Sequence, residues 1–155
     1  MAGVGLSIGF DEVELVVDAW KTVASVKAPA NQMVKLNSIA LHADGIAGDA
    51  KPLLLRLARV VAGSGSASAA TPQKLNNALT VTPQTTARKN FTTEPTADGT
   101  DPYIRPGLFH PQGGIIRDDT FSGLYLKEGS ELAVQVKVPS GGVAVKVTGG
   151  AEVEE

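Results

Sequence analysis

Cysteine is absent from this chain of 155 residues. Without a thiol, the protein can have neither a disulfide framework nor a thiolate that attacks a substrate or binds a metal. Its stability must therefore come from a hydrophobic core, and a chain of this length can bury one within a single domain. Cysteine chemistry and dependence on an oxidising compartment are both excluded.

An excess of positive charge is also missing. The chain has 14 Lys and Arg residues against 16 Asp and Glu residues, which gives a formal net charge of -2. Proteins that bind DNA or RNA need a basic surface to replace the counterions of the phosphates. We therefore expect no nucleic-acid partner.

The sequence contains no long apolar run. No segment approaches the roughly 20 apolar residues that a membrane-spanning helix requires. The first residues, "MAGVGLSIGFDEVELVV", lack the basic start of a secretory signal, and Asp11 interrupts them before an apolar segment develops. We expect a soluble protein with no signal peptide and no membrane partner.

Side chains suited to catalysis are few. His42 and His110 are the only two histidines, and the G-x-S-x-G elbow that presents a nucleophilic serine is absent. A metal site of the cupin type needs several histidines and a glutamate, so a small barrel enzyme would need both histidines and a carboxylate to converge. Asp118 and Asp119 are adjacent and would point to opposite sides of a strand. We expect no catalytic residue, metal or cofactor, and interpret His110 as a turn-packing or interface residue and the two aspartates as turn caps.

Glycine and proline, by contrast, are plentiful, at 17 and 9 residues, whereas aromatic residues make up only 5%. Frequent Gly and Pro together with recurring valine are typical of short strands joined by turns. An alternation of apolar and polar residues runs from 13 to 26 and changes phase near Asp18, which predicts a strand with a break or bulge. A short helix over 11–20 remains an alternative.

A turn at 29–31 separates this strand from a second strand over 33–43. A third strand, "KPLLLRLARVV" at 51–61, is predicted to form a long hairpin with the second, although a helix is also possible there. In a strand Arg56 and Arg59 lie on opposite faces, so at least one of them must find solvent or a carboxylate. We interpret both as solvated or edge residues and not as ligand-binding ones.

The C-terminal part shows the cleanest alternation. Apolar residues at 132, 134, 136 and 138 predict a half-buried strand, and "VAVKV" at 143–147 predicts another after the turn "PSGG". We expect these two strands to form a terminal hairpin. The final residues, "TGGAEVEE", are expected to be a solvated acidic tail.

The middle of the chain is built from small and hydroxylated residues. From Ala62 onwards such a segment buries little apolar surface, so it is predicted to be a loop or arm, in which "TPQKLNNAL" could form one or two helical turns. The segment 92–107 is predicted to be a turn-rich excursion after a short strand. About eight strands without a βαβ rhythm indicate an all-β antiparallel β-sandwich, or jelly roll, with long loops rich in Pro, Gly, Ala and Ser.

We accordingly expect one domain over 1–155. Its parts are predicted as an N-terminal segment at 1–12, first strands at 13–61, long loops or an arm at 62–107, remaining strands at 108–149 and an acidic tail at 150–155.

A family resemblance carries the functional expectation. The segment "VKAPANQMVKLNSIALHADGIAGDAKPLLLRLAR", the small-residue loop after it, "EPT" and "HPQGG" together resemble small virion proteins of tailed bacteriophages. The resemblance covers residues 20–140. This segment is similar to capsid decoration, or cement, proteins with jelly-roll folds.

The resemblance implies a structural protein on the outside of the virion, made in the host cytoplasm. It would bind the major capsid protein, commonly as a homotrimer, and stabilise contacts between capsid subunits. Apolar residues set among prolines could fill pockets on such a partner, or else cap the open end of the sandwich. The expected interface residues are Tyr103, Ile104, Arg105, Leu108, Phe109 and His110.

The main rival is a carbohydrate- or receptor-binding jelly-roll domain of a virion fibre or spike. Sugar-binding faces usually present exposed aromatic rings with amide and carboxylate side chains nearby. This chain has one Trp and two Tyr, which modestly disfavours that alternative.

Overall fold

Alternating apolar residues form β-strands throughout the computed structural model, which describes residues 3–44, 51–109, 116–118 and 124–155. The described residues contain twelve strands: β1 (Gly5–Glu14), β2 (Trp20–Lys27), β3 (Val34–Ala43), β4 (Leu53–Val60), β5 (Ser66–Ala70), β6 (Gln73–Lys74), β7 (Thr86–Thr93), β8 (Tyr103–Phe109), β9 (Ile116–Asp118), β10 (Leu124–Leu126), β11 (Glu131–Lys137) and β12 (Lys146–Glu154).

These same residues include no helix, so the helical alternatives at 11–20 and 51–61 and the helical turns at 71–79 are wrong. Among the described residues, no helix with the length and apolarity to cross a membrane is found.

The strands form two antiparallel sheets packed face to face. The first sheet has the order β10-β3-β12-β1-β6, with β9 also pairing with β3, and the second has the order β5-β7-β2-β11-β4-β8. The predicted all-β antiparallel sandwich is confirmed, with twelve described strands in place of about eight.

One hydrophobic core lies between the sheets. Each strand turns alternate side chains inward, because successive residues of a strand point to opposite faces. In β11 the inward residues are Leu132, Val134 and Val136, as the alternation predicted. The largest fully buried side chains are Leu6, Ile8, Leu15, Leu36, Ile39, Leu41, Leu53, Leu57, Val23, Val34 and Val136.

Both predicted hairpins are wrong. Strands β3 and β4 belong to different sheets, where β3 pairs with β12 and β4 pairs with β11 and β8. Likewise β11 lies in the second sheet and β12 in the first, and the predicted strand at 143–147 overlaps β12 only at 146–147. An alternating pattern identifies the face that a strand buries, but strands of both sheets bury one face in the same core and carry the same pattern. The pattern therefore does not indicate that consecutive strands such as β3 and β4 lie in opposite sheets and do not pair with each other.

The break predicted near Asp18 is confirmed. It separates β1 from β2, and Asp18 adopts a positive φ of 63°. The backbone N–H of Asp18 donates to the carbonyl of Val138 at 2.7 Å, and its carboxylate pairs with Lys137 at 2.9 Å. Strand β1 itself begins at Gly5, so most of the predicted N-terminal segment is sheet.

The middle segment is more ordered than its composition indicated. The predicted loops at 62–107 contain β5, β6 and most of β8, so that prediction is wrong for these residues, whereas the short strand predicted before 92–107 lies within β7. Strand β5, made only of Ser and Ala, pairs with β7, which in turn pairs with β2. Backbone hydrogen bonds to a neighbouring strand do not require large side chains, so small residues suffice for an edge strand.

The predicted acidic tail is also wrong. Residues 146–154 form β12, which lies between β1 and β3 in the first sheet. The carboxylate of Glu155 accepts hydrogen bonds from the backbone N–H of Gln84 at 2.9 Å and from that of Thr85 at 2.7 Å, as well as from the Thr85 hydroxyl. The last residues thus hold the segment that leads into β7.

Replacing Glu155 with Ala is expected to lower the free energy of unfolding by about 1–2 kcal/mol, because the buried Thr85 would lose its acceptor. Chemical denaturation measures the loss, and amide hydrogen exchange should increase first at Gln84 and Thr85. The matched control is Glu154→Ala, which removes a neighbouring carboxylate and should change the free energy by less than about 0.5 kcal/mol. Equal effects of the two variants would contradict this role.

Candidate functional site

The outer face of the second sheet carries an unusual group of side chains. Because Leu132, Val134 and Val136 of β11 point into the core, Ala133, Gln135 and Lys137 point away from it. Pairing aligns Gln135 with Arg56 of β4 and Thr22 of β2. This row crosses three strands on the side of the sheet opposite the core.

Arg56 is stacked between two aromatic rings. Its guanidinium carbon lies 4.0 Å from the centroid of the Trp20 ring and 3.7 Å from that of the Tyr103 ring. Cation–π contacts of this kind stabilise by about 0.5–2 kcal/mol each, depending on their exposure. The stack fixes the plane of the guanidinium group.

A chain of hydrogen bonds holds Arg56 from the side. Its Nε donates to the Gln135 Oε1 at 2.8 Å, and the Gln135 Nε2 donates to the Thr22 hydroxyl oxygen at 3.1 Å. Gln135 and Thr22 are both buried, so their polar groups require such partners. The Arg56 side chain therefore has one defined position.

The guanidinium is partly removed from water. Burial lowers the pKa of Arg56 below its ordinary value, and attraction and hydrogen bonding to Tyr103 act in the opposite direction. Among the described residues, no carboxylate forms an ion pair with Arg56. The charge is held by aromatic rings and an amide and not by a counterion of the described chain.

A cleft of about 190 Å³ opens beside the Arg56 stack. We call it the Arg56 cleft. One wall is the sheet itself, and the other is the segment around Glu94 and Pro95, which follows β7 and crosses the outer face. The lining residues are Trp20, Arg56, Ala58, Val60, Glu94, Pro95, Ala97, Tyr103 and Gln135.

Glu94 is held on the far side of this cleft. One of its carboxylate oxygens accepts the backbone N–H of Thr22 at 2.8 Å, and the other lies 3.4 Å from the Lys21 ammonium group. Lys21 also donates to the carbonyl of Phe91. The negative charge of Glu94 is thus compensated by the ammonium group of Lys21.

A second polar group on the same face has a structural role. Glu131 is 2% exposed, and its carboxylate accepts the Ser25 hydroxyl, the backbone N–H of Gly63 at 2.8 Å, and Arg88 through Nε at 2.9 Å and Nη2 at 2.6 Å. Its acceptor positions are therefore occupied. Glu131 joins β2, β7, β11 and the turn after β4.

The structure divides the expected interface residues. Tyr103 and Leu108 are exposed, at 46% and 67%, and Leu108 pairs with Leu54 in the row next to Arg56. Ile104 packs against the core and Phe109 is 3% exposed, so the expectation that these two are exposed anchors is wrong. Strand β8 turns alternate residues inward, and an irregularity in its pairing with β4 between Leu55 and Leu57 reverses which residues face the core, so Ile104 and Phe109 both point inward.

The other two expected interface residues lie wholly or partly outside the described residues. Arg105 belongs to β8, but its side chain lies outside the described residues, and so does the whole of His110.

Trp20 and Arg56 were not identified as site residues from the sequence. Each lies in an ordinary strand pattern, and their contact depends on the pairing of β2, β11, β4 and β8. The one available indication was an arginine inside a leucine-rich strand, which must find a partner for its charge.

The histidines and aspartates considered as catalytic or metal-binding residues do not form a common site in the described part of the chain. His42 is exposed on the outer face of the first sheet and pairs with Thr148. Asp118 belongs to β9, whereas His110 and Asp119 lie outside the described residues. Within those residues, no group of three or more His, Asp or Glu side chains could hold a metal ion.

Comparisons with known proteins identify no relative: no family model, no curated protein and no solved structure matches the chain.

Proposed function

We propose that the protein is a structural component of a tailed-bacteriophage virion that binds the outer surface of the capsid and stabilises contacts between major capsid protein subunits. Its docking surface is the outer face of the second sheet, formed by Trp20, Leu54, Arg56, Tyr103 and Leu108. We refer to these five residues as the docking face.

The composition of the docking face is the observation that carries the proposal. Trp, Tyr and Arg are the residues most enriched among those that dominate protein–protein binding energy. Here the chain's single Trp and one of its two Tyr residues clasp an arginine, with the exposed Leu108 in the neighbouring row. The stack gives this surface a rigid shape, so little conformational entropy is lost on binding.

The winding of the chain supports a jelly roll. Successive strands β1 to β4 alternate between the sheets, and so do the last two strands, β11 and β12. The first sheet places β12 between β1 and β3, while the second places β11 between β2 and β4. This arrangement of late strands between early ones suits two interleaved Greek keys.

A homotrimer on the capsid exterior would suit this kind of surface. Several copies joined by closed symmetry would add weak contacts together through effective concentration. Synthesis in the host cytoplasm followed by addition to the assembled particle fits a chain that folds without disulfides.

The second candidate function is a glycan- or receptor-binding domain of a virion fibre or spike. The Arg56 cleft favours it in one respect, since it combines two aromatic rings with the amide of Gln135. Both rings, however, already stack on Arg56, and the amide is already hydrogen-bonded. A sugar would need free polar groups and a free ring face.

Co-sedimentation with assembled capsids tests the proposal. Wild-type protein should sediment with the capsids, and Leu108→Glu should weaken its binding at least tenfold, because the change places a charge within the docking face. The matched control is Leu75→Glu, which changes a leucine of similar exposure beside the first sheet and should leave binding within about twofold.

Failure of the wild-type protein to sediment with capsids would contradict the proposal. Binding on a glycan array, lost in Leu108→Glu and retained in Leu75→Glu, would instead support the second candidate function.

A further inference from the structure

We propose that the Arg56 cleft binds a carboxylate carried on a short aliphatic stem, and, resting on the function proposed above, that an Asp or Glu side chain of the capsid partner supplies it. The ligand is defined by the hydrogen-bond donors, walls and charges of the cleft.

Arg56 is the group in the cleft with donors to spare. A guanidinium group carries five N–H donors and stays charged at neutral pH. Its Nε donates to Gln135, its side chain also hydrogen-bonds with Tyr103, and among the described residues no carboxylate forms an ion pair with it, so N–H donors remain for a ligand. A carboxylate matches the planar fork of a guanidinium group through two parallel hydrogen bonds.

The other polar side chains in the cleft are already engaged. Gln135 uses its oxygen for Arg56 and its nitrogen for Thr22. Glu94 accepts the backbone N–H of Thr22 and pairs with Lys21. A ligand with many hydroxyl groups would therefore find few free partners, whereas a carboxylate needs only Arg56.

The remaining walls suit an aliphatic stem. They are formed by Ala58, Val60, Pro95 and Ala97, which offer small apolar surfaces and no side-chain hydrogen-bond donors. Ala58 and Val60 are nearly inaccessible to water where the segment from Glu94 to Ala97 crosses them. Methylene groups beside the carboxylate would therefore contact the exposed Ala97 and the ring of Tyr103, and not the buried Ala58 and Val60.

The balance of charge at the cleft favours an anion. Arg56 and Lys21 contribute two positive charges, and Glu94 contributes one negative charge. The next ion pair, between Lys137 and Asp18, is neutral as a whole. One net positive charge remains, and it belongs to a guanidinium group that is partly shielded from water.

Trp20 provides a direct measurement, because it is the only tryptophan in the chain and stacks on Arg56. N-acetylglutamate α-amide, which carries one side-chain carboxylate, should change Trp20 fluorescence in a saturable manner. The neutral N-acetylglutamine amide should change it at least tenfold less at equal concentration. Glucuronate and inorganic phosphate serve as further probes, of an acidic sugar and of a different anion.

Variants assign the response to Arg56. Arg56→Gln should weaken binding of the glutamate derivative at least tenfold, and Arg56→Lys should restore part of it, since it keeps the charge without the fork. The control is Arg59→Gln. Arg59 also belongs to β4, but it lies opposite Leu132 and not in the row of Arg56 and Gln135, so this variant should bind the glutamate derivative as the wild type does. Circular dichroism and thermal unfolding verify that each variant is folded.

The proposal is overturned if the glutamine derivative binds as well as the glutamate derivative, or if the folded Arg56→Gln variant binds unchanged. Tighter binding of glucuronate or phosphate would also overturn it, because the ligand would then be an acidic sugar or another anion.

Capsid co-sedimentation separates this inference from the proposed function. If wild-type protein and Arg56→Gln sediment equally well with capsids, the partner does not supply the carboxylate, while the proposed function stands. If neither sediments but Trp20 responds to the glutamate derivative, the proposed function fails and the carboxylate cleft stands.

Discussion

Replacing Glu131 with Ala should lower the free energy of unfolding by about 3–5 kcal/mol, the range found when one partner of a buried ion pair is removed. Glu131 is buried, and it accepts hydrogen bonds from Ser25, Gly63 and Arg88. Without it, Arg88 would keep a positive charge at a largely buried position with no carboxylate within ion-pairing distance among the described residues.

Urea denaturation measures the effect, and Glu128→Ala is the matched control, because Glu128 is an exposed glutamate in the turn before β11. The control should differ from the wild type by less than about 0.5 kcal/mol. Glu131→Gln should fall between the two, because it keeps an acceptor but loses the charge. Replacing Glu131 and Arg88 together with apolar residues should recover part of the lost stability.

A loss below about 0.5 kcal/mol in Glu131→Ala would contradict the role assigned to this carboxylate, since it would mean that water or another group replaces it freely.

The second large effect is expected for Gly149→Ala, which should lower the free energy of unfolding by about 1–3 kcal/mol, as overpacking of a tight site does. A Cβ at Gly149 would lie 2.1 Å from the carbonyl oxygen of Ala40. That oxygen belongs to the backbone of β3, the strand that pairs directly with β12. It cannot move away unless the pairing of these two strands is distorted.

Gly9→Ala is the matched control, because Gly9 lies on the neighbouring strand β1 opposite Gly150. The nearest atom to a Cβ there would be the Gly149 oxygen at 3.9 Å, an ordinary contact. This variant should be within about 0.5 kcal/mol of the wild type, or slightly more stable through reduced freedom of the unfolded chain. Thermal and urea unfolding measure both variants. If Gly9→Ala were less stable than Gly149→Ala, the close approach of β3 and β12 would be contradicted.

Strands could be predicted from the sequence because alternation follows directly from the geometry of a half-buried strand. The segments 33–43 and 131–138 match β3 and β11 closely, and the phase change at Asp18 marks the break between β1 and β2. Pairing could not be predicted, since strands of both sheets present the same alternation to a shared core. Both predicted hairpins failed for this reason.

The amino-acid composition led to a wrong prediction of the local structure in two segments. Strand β5 consists of small residues that resemble a flexible linker, yet it pairs with β7. Residues 150–154 resemble a solvated tail, yet their apolar members Ala151 and Val153 are buried in β12. In both segments the partner strand supplies order that the local sequence does not indicate.

The candidate site was predicted only in part. Tyr103 and Leu108 could be identified because bulky side chains among prolines are typical of binding surfaces. The contact of Trp20 with Arg56 could not, because 36 positions separate the two residues in the sequence and strand pairing alone brings them together. Side-chain stacks of this kind follow from tertiary structure.

A density map of the assembled virion tests the central claim most directly. Copies of the chain should appear on the outside of the capsid, in groups of three at joints between major capsid subunits, with Trp20, Tyr103 and Leu108 against the capsid surface. An acidic side chain of the capsid should lie at Arg56. Particles that lack the protein, or that hold it with the docking face turned to solvent, would contradict the account.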